Sequence, residues 1–175
     1  MVARWKPVHR GHAAVLRALG ARAEHVLLGI GSANRLNARN PFTVAETRDM
    51  LERVLGQRSN VTLLEVPDLD DGPRWRAMVV ELFGPLDAFV TANPYVAGLL
   101  ADDYRIVHPV DLVPVTERVP IDGTGVRREM ARGEGWRALV PDEVAAYIEE
   151  RGLDRRFRGS FGLETLALEA PPTVR

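Results

Sequence analysis

The chain has 175 residues, of which 46% are hydrophobic and 27% are charged, and its formal net charge is −1. This composition is typical of a globular protein with one core, and it provides no overall positive charge to attract nucleic acid or an anionic membrane. The absence of cysteine excludes disulfides, thiolate metal ligands and a cysteine nucleophile. Neither a membrane-spanning apolar run nor a signal-peptide pattern is present, so we expect a cytoplasmic protein.

Short apolar segments rich in β-branched residues alternate with longer amphipathic segments. Strands are predicted at 26–30, 61–66 and 87–91, and helices at about 12–21, 43–57, 74–83, 94–101 and 142–151. This alternation predicts an α/β fold with a Rossmann-like, doubly wound parallel sheet, in which ligands bind beyond the carboxyl ends of the strands. Few residues precede Pro7, so either the first strand is short or the true start of the protein lies upstream.

Two helix starts have recognisable local signals, and the end of the chain has none. Thr43 and Glu46 have the spacing of a capping box, and Pro73 suits the first turn of a helix. We expect one domain over residues 1–158. Residues 159–175 are predicted to form a loosely ordered tail or a contact with a neighbouring subunit.

The strongest chemical signal is the segment 7–12, with the sequence PVHRGH, at a predicted turn from strand to helix. Free backbone N–H groups and the helix dipole favour an anion at such a turn, and Gly11 would let a phosphate approach the backbone. The imidazoles of His9 and His12 could both donate hydrogen bonds to phosphate oxygens. The pair could instead cap and pack a helix. A zinc site would need a third ligand and usually an HExxH pattern, which is absent.

A second signal lies in residues 122–130, with the sequence DGTGVRREM. Thr124 is predicted to be the N-cap of a helix, and its hydroxyl and the nearby N–H groups could hold a phosphate. Arg127 or Arg128 could clamp that phosphate as a planar fork. An ordinary solvated helix start explains these residues equally well when they are viewed alone, so the segment gains meaning only together with residues 7–12.

Together these segments resemble the HxGH nucleotidyltransferase superfamily, and more closely the archaeal-type nicotinamide mononucleotide adenylyltransferases. Residues 3–12 (ARWKPVHRGH) resemble the family's G-R-[FMW]-Q-P-[FV]-H-x-G-H, and DGTGVRREM resembles its S-G-T-E-[IV]-R-R-x-M. Four shorter matches are GIGSAN at 29–34, NPFT at 40–43, TANP at 91–94 and WRALVP at 136–141. The matches follow the family order from about residue 3 to residue 151.

The resemblance implies a nucleotidyltransferase that moves AMP from ATP to nicotinamide mononucleotide in NAD synthesis and releases pyrophosphate. The implied catalytic residues are His9, His12, Arg4 and Arg127. The implied ATP- and phosphate-binding residues are Lys6, Gly11, Gly123, Thr124, Arg128 and Asn93. The implied acceptor-binding residues are Ser32, Ala33, Asp68, Trp75 and Arg48. Magnesium would be bridged by the ATP phosphates without a protein ligand, and the resemblance also implies a homo-oligomer.

Several positions depart from the family pattern. Lys6 stands where the family has Gln, Thr47 where it has Arg, Gly72 where it has the Asn that reads the nicotinamide carboxamide, and Asp122 where it has Ser. Trp75, which the family stacks on the nicotinamide ring, could also be a core residue. These departures leave three alternatives: a cytidylyltransferase, an adenylyltransferase with another phosphomonoester acceptor, and a catalytically silent nucleotide-binding protein.

Overall fold

The structure, a computed structural model, describes residues 1–168 as two compact units. The strands are β1 (Val2–Ala3), β2 (Val26–Gly31), β3 (Val61–Val66), β4 (Phe89–Val90) and β5 (Ile106–Val107). The α-helices are α1 (Arg10–Arg22), α2 (Val44–Leu55), α3 (Gly72–Phe83), α4 (Pro94–Leu100), α5 (Gly123–Arg132), α6 (Asp142–Glu150) and α7 (Leu153–Ala167). Short 3-10 turns cover Pro109–Leu112, Val115–Glu117 and Trp136–Leu139. No helix among residues 1–168 has both the length and the apolar character needed to cross a bilayer.

The first unit comprises Met1–Arg4, Ala14–Arg35 and Gln57–Arg118, and it contains every strand named above. The strands β1, β2 and β3 form a parallel sheet in that spatial order, and β4 pairs with β5 in parallel. Strand β2 is almost continuously buried, as a strand covered on both faces should be. The predicted α/β class with a parallel sheet is confirmed, and β1 is short, with two residues.

The core of the first unit forms around the carboxyl half of α3 and the strand that follows it. Phe83, Phe89 and Tyr104 make successive aromatic contacts, with ring centroids 6.1 and 5.8 Å apart. Arg76 on α3 forms a two-bond fork with Asp103, at 2.6 and 2.8 Å. These contacts fix α3 near α4, which determines where the first turn of α3 lies.

The second unit comprises Trp5–Ala13, Leu36–Gly56 and Val119–Arg175, and in its described part it is mainly helical. Helix α5 packs against α7, and α2 packs against α6. Arg156 of α7 donates to Glu46 of α2 at 2.7 Å and to the Pro41 carbonyl at 3.1 Å. Glu46 also completes the predicted capping box with Thr43, which is confirmed.

The structure differs from the sequence prediction near the end of the chain, because helix α7 continues through residues 159–167, the first part of the predicted loosely ordered tail. Three arginines and two glycines obscure the helical pattern in this helix. Leu153 and Phe157 are nevertheless buried one turn apart, and Arg158 forms an ion pair with Asp154. Burial of this helical face compensates for weak local propensity. Residues 169–175 of the predicted tail lie outside the described residues.

Candidate active site

Residues 5–9 form a turn that leads into α1, as predicted, and His12 lies in the first turn of that helix. The two histidine rings stack with centroids 3.6 Å apart and an angle of 19° between their planes. The Nδ1 atom of His9 accepts a hydrogen bond from the backbone N–H of His12 at 3.2 Å, and the backbone N–H of His9 donates to Nδ1 of His12 at 3.4 Å. Because Nδ1 of His9 is an acceptor, we assign the proton of its neutral ring to Nε2.

Burial keeps both imidazoles neutral. It lowers the pKa of His9 from its ordinary value of 6.5 to about 4, while the Asp122 carboxylate opposes and the Arg127 guanidinium assists this change. The pKa of His12 is also well below its ordinary value, because of burial and the neighbouring His9, although a hydrogen bond with the Pro7 carbonyl partly offsets this. Each neutral ring keeps one N–H donor, and that of His12 bonds to the Pro7 carbonyl.

Gly11 has a structural role that the sequence did not indicate. A Cβ atom at this position would lie 3.2 Å from the His9 ring and 3.2 Å from the carbonyl oxygen of Ile121, which is closer than a side-chain carbon normally sits. The glycine therefore allows the imidazole and the segment before α5 to approach the turn. Access of a phosphate to this backbone, the predicted reason for the glycine, stays a prediction.

Helix α5 begins two residues earlier than the sequence suggested. The prediction that Thr124 is the N-cap is wrong, because Asp122 has the extended backbone and accepts a hydrogen bond from the Gly125 N–H at 2.7 Å. Aspartate caps helices at least as well as threonine, and Asp122 takes this role because its extended backbone directly precedes the first helical residue. Thr124 lies inside the first turn, and its hydroxyl accepts a hydrogen bond from Arg127 at 3.2 Å.

The structure brings the two predicted phosphate-binding segments together within the second unit. Nη1 of Arg127 donates to the backbone carbonyl of Lys6 at 3.1 Å, across 121 residues of sequence. The Ile121 carbonyl faces Gly11, and the charges of Asp122 and Arg127 act on the His9 ring. The turn with the two imidazoles and the start of α5 are therefore neighbours.

The other predicted ligands of the second unit differ in their surroundings. Lys6 is only 2% exposed, and Arg48 is half-buried on α2. Gly123 and Arg128 lie in the first two turns of α5. Thr47, where the family has arginine, is fully buried, and its hydroxyl donates to the Thr43 carbonyl at 2.7 Å. Thr47 thus serves the helix itself, and the ligand roles of Lys6, Gly123, Arg48 and Arg128 stay predictions.

In the first unit, the predicted nucleotide contacts follow the carboxyl ends of neighbouring strands. Ser32 and Ala33 follow β2, and the Ala33 N–H donates to the Val66 carbonyl at the end of β3 at 3.1 Å. Asp68 follows β3 and is held by Asn34 through two hydrogen bonds, of 2.8 and 2.9 Å. This edge of a parallel sheet is where ligands bind in open α/β folds.

The same loops contain two strained residues. Ser32 and Asp70 have φ values of 50° and 52°, in the left-handed region that non-glycine residues rarely adopt. Asp70 is held by an ion pair with Arg35. Strain of about 1–3 kcal/mol at each such residue persists only where surrounding contacts maintain it, and it is concentrated at functional sites. Asn34 and Arg35, which hold these loops, were not among the predicted site residues, and the GIGSAN match at 29–34 was the available signal for Asn34.

Three further predicted residues lie in the first unit. Arg4 is exposed just after β1. Asn93 follows β4 and caps α4, with its side-chain oxygen accepting from the Tyr95 N–H at 2.9 Å. Trp75 is half-buried and packs against the core with part of its surface open. This position is compatible both with a core residue and with a residue that stacks on a ligand. The Tyr95 side chain, which the sequence analysis did not single out, lies beside the first turn of α3.

A parallel α/β sheet, combined with an HxGH turn held against a second glycine- and arginine-rich helix start, defines the protein as a nucleotidyltransferase of the HxGH class. Comparison with known proteins agrees, although no family model matches the chain. Curated proteins named nicotinamide-nucleotide adenylyltransferase from Thermococcus kodakarensis and Pyrococcus furiosus are each 32% identical, over 99% of this chain and 94% and 95% of their own lengths. A protein of the same name from Methanocorpusculum labreanum is 34% identical, over 88% of this chain and 92% of its own. The chain belongs to the nicotinamide-nucleotide adenylyltransferase family.

A solved structure supports the same fold. It is a bifunctional NMN adenylyltransferase/ADP ribose pyrophosphatase from Francisella tularensis, complexed with AMP and a manganese ion. Its TM-score is 0.68 at 16% identity, and the match covers 98% of this chain. The chain spans about half the length of that protein, 55%, so the likeness shows the fold.

Proposed function

We propose that this protein transfers the adenylyl group of ATP to nicotinamide mononucleotide and releases pyrophosphate. The observation that carries the proposal is the hydrogen bond from Arg127 to the Lys6 carbonyl, which holds the first turns of α5 beside the HxGH turn. One triphosphate could then contact donors from both segments. Membership of the nicotinamide-nucleotide adenylyltransferase family supports the choice of donor and acceptor.

In the proposed reaction, a phosphate oxygen of the mononucleotide attacks the α-phosphorus of ATP. A new P–O bond forms to the mononucleotide, the bond from the α-phosphorus to the bridging oxygen breaks, and that oxygen leaves with pyrophosphate. No covalent enzyme intermediate is needed, so catalysis depends on position and electrostatics. Orientation of the two reactants can lower the barrier by about 7–11 kcal/mol.

The chain's own residues would stabilise the charge that develops on the phosphates. His9 would donate its Nε2–H to an oxygen of the α-phosphate as a neutral imidazole, since its low pKa keeps the ring singly protonated near pH 7. His12 would donate its single N–H by exchanging the Pro7 carbonyl for a phosphate oxygen. Arg127 would contact the terminal phosphates as a fork, and the hydroxyl of Thr124 would contribute a further hydrogen bond. A single well-placed donor is worth about 3 kcal/mol in comparable sites.

A divalent cation fits this site as a partner of the substrate. Among residues 1–168, no group of three His, Asp or Glu side chains is arranged to hold a metal ion. Magnesium keeps several waters and binds readily to substrate phosphates, so the triphosphate would supply most of its ligands. When bound, the ion would neutralise part of the phosphate charge, and we propose magnesium for this role.

The proposal is tested by measuring pyrophosphate release with ATP or CTP and a panel of acceptors. The panel contains nicotinamide mononucleotide, nicotinate mononucleotide and an unrelated phosphomonoester. We expect turnover with ATP and nicotinamide mononucleotide, with the dinucleotide as product. Preference for CTP, or for the unrelated phosphomonoester, would contradict the proposal, and nucleotide binding without pyrophosphate release from any pair would indicate a silent binding protein.

His12→Ala tests the role of the histidine pair. We expect turnover to fall by two to three orders of magnitude, since one phosphate donor and the ring that stacks on His9 are both lost. Circular dichroism would check that the fold survives. His25→Ala is the matched control, because His25 lies outside the second unit and hydrogen-bonds to Thr62. Parental turnover in His12→Ala would remove this residue from the chemistry.

Assembly and location are further parts of the proposal. We infer a homo-oligomer of a cytoplasmic enzyme that needs neither nucleic acid nor membrane for its activity. Light scattering of the purified protein measures the first point, and a monomer at micromolar concentration would contradict it.

A further inference from the structure

The first turn of α3 has a hydroxyl group where a side chain would normally be. At Gly72, the position that a Cβ atom would need is occupied by the hydroxyl oxygen of Tyr95, and Cζ of Tyr95 and Cδ2 of Leu99 would lie 3.2 and 3.3 Å away. The phenol of α4 therefore reaches across to α3 and ends against its backbone. The missing side chain at residue 72 is what makes room for it.

Tyr95 is not a core residue. The residue is 63% exposed, and among residues 1–168 no group hydrogen-bonds to its hydroxyl. The backbone of Tyr95 is nevertheless fixed, because its N–H donates to the side-chain oxygen of Asn93 at 2.9 Å. The structure thus presents a positioned phenol hydroxyl with its hydrogen-bonding capacity available to a ligand.

Trp75 lies one turn further along the same face of α3. Residues three apart on a helix share a face, and a helical side chain leans towards the N-terminal turn. The indole therefore leans towards the turn at Gly72, where the Tyr95 hydroxyl ends. Trp75 is half-buried, with one part packed on the core and another open. Helix geometry thus places an indole and a phenol hydroxyl on the same side of the first turns of α3, which suits a flat heteroaromatic ring with a polar substituent at its edge, through stacking and one hydrogen bond.

We propose that Tyr95 is a specificity-determining residue, whose hydroxyl, seated in the space left by Gly72, hydrogen-bonds the polar substituent on the base of the acceptor mononucleotide. This inference rests on the proposed function and deepens it, since it assigns the acceptor's aromatic ring to the Trp75–Tyr95 pair. Position 72 contributes by its lack of a side chain, and position 95 supplies the hydrogen-bonding group.

The geometry allows the hydroxyl to be removed in two independent ways. Tyr95→Phe deletes the oxygen and retains the ring. Gly72→Ala places a methyl group where the oxygen lies, and the exposed phenol can turn into solvent without disturbing the core. Gly98→Ala is the matched control, because it makes the same chemical change on α4 where no atom lies within 4 Å of the new Cβ.

The experiment titrates each protein with nicotinamide mononucleotide and follows tryptophan fluorescence. Trp5 and Trp136 are fully buried and Trp75 is half-buried, so a contact quencher reports on Trp75. We expect Tyr95→Phe and Gly72→Ala each to weaken binding by about three- to tenfold, the range for one neutral hydrogen bond. The double variant should bind no more weakly than either single variant, since both changes remove the same contact. KM for the mononucleotide should rise with Kd while kcat and KM for ATP stay within twofold.

Parental affinity in either single variant, a multiplicative loss in the double variant, or failure of the parent to bind the mononucleotide would each overturn the inference. Failure of the proposed function is a separate result. A parent that binds the mononucleotide with this variant pattern, but releases no pyrophosphate, would reject adenylyl transfer and retain the role of Tyr95.

Discussion

The buried His9 should make the free energy of unfolding depend on pH more steeply than a histidine on the surface would. Burial lowers the pKa of this imidazole from 6.5 to about 4, and the residue is only 5% exposed. As the pH falls below 6.5, His9 becomes protonated in the unfolded chain but stays neutral in the folded protein. The contribution of His9 to the free energy of unfolding is therefore complete above pH 6.5 and is lost progressively down to about pH 4.

The size of the effect follows from these two pKa values. A difference of about 2.5 between them corresponds to about 3 kcal/mol over the whole range, and about 2 kcal/mol of this is lost between pH 7.5 and pH 5.0. His9→Asn removes the titrating ring and keeps an oxygen that can accept the His12 N–H. The free energy of unfolding of this variant should fall by about 2 kcal/mol less than that of the parent over the same interval.

Urea unfolding at pH 7.5, 6.0 and 5.0 measures this difference. The other titrating groups are present in both proteins, and because His9 helps to lower the pKa of His12, the difference between the two pH dependences reports on His9 together with its coupling to His12. A lower stability of the variant at pH 7.5 would reflect lost ring contacts and does not affect the comparison. Equal pH dependences, agreeing within 0.5 kcal/mol, would refute the claim that the folded protein holds this imidazole neutral.

Two further predictions concern the same site. Gly11→Ala should lower kcat at least tenfold and destabilise the fold by about 1–2 kcal/mol, because the new methyl group displaces the His9 ring or the Ile121 carbonyl; parental turnover would contradict this. In Gly159→Ala, the matched control, nothing lies within 4 Å of the added carbon, and turnover should be unchanged. Asp122→Asn keeps the helix cap and removes a charge beside the proposed phosphate site, so KM for ATP should fall about fivefold, equivalent to about 1 kcal/mol of repulsion at 4 Å in water. Asp102→Asn removes an exposed charge outside the site as its control, and an unchanged or higher KM in Asp122→Asn would reject this role.

Much of the local structure could be predicted because it depends on neighbours in sequence. The capping box of Thr43 and Glu46 needs only residues three apart, and the buried strand β2 needs only an unbroken apolar run. Local rules failed where two residues compete for one role. Asp122 and Thr124 are both good caps, and the backbone conformation of the extended residue decided between them.

The sequence by itself determined the class of chemistry, because PVHRGH and DGTGVRREM each contain the donors that a phosphate needs at a helix start. Only the tertiary structure decided that these segments meet, through a hydrogen bond between residues 121 apart. It also decided that the imidazoles are neutral, since burial and the charges of Asp122 and Arg127 come from packing. The position of the Tyr95 phenol could not be predicted from the sequence for the same reason. The phenol fits because Gly72 has no side chain, and only the packing of α3 against α4 brings these two residues together.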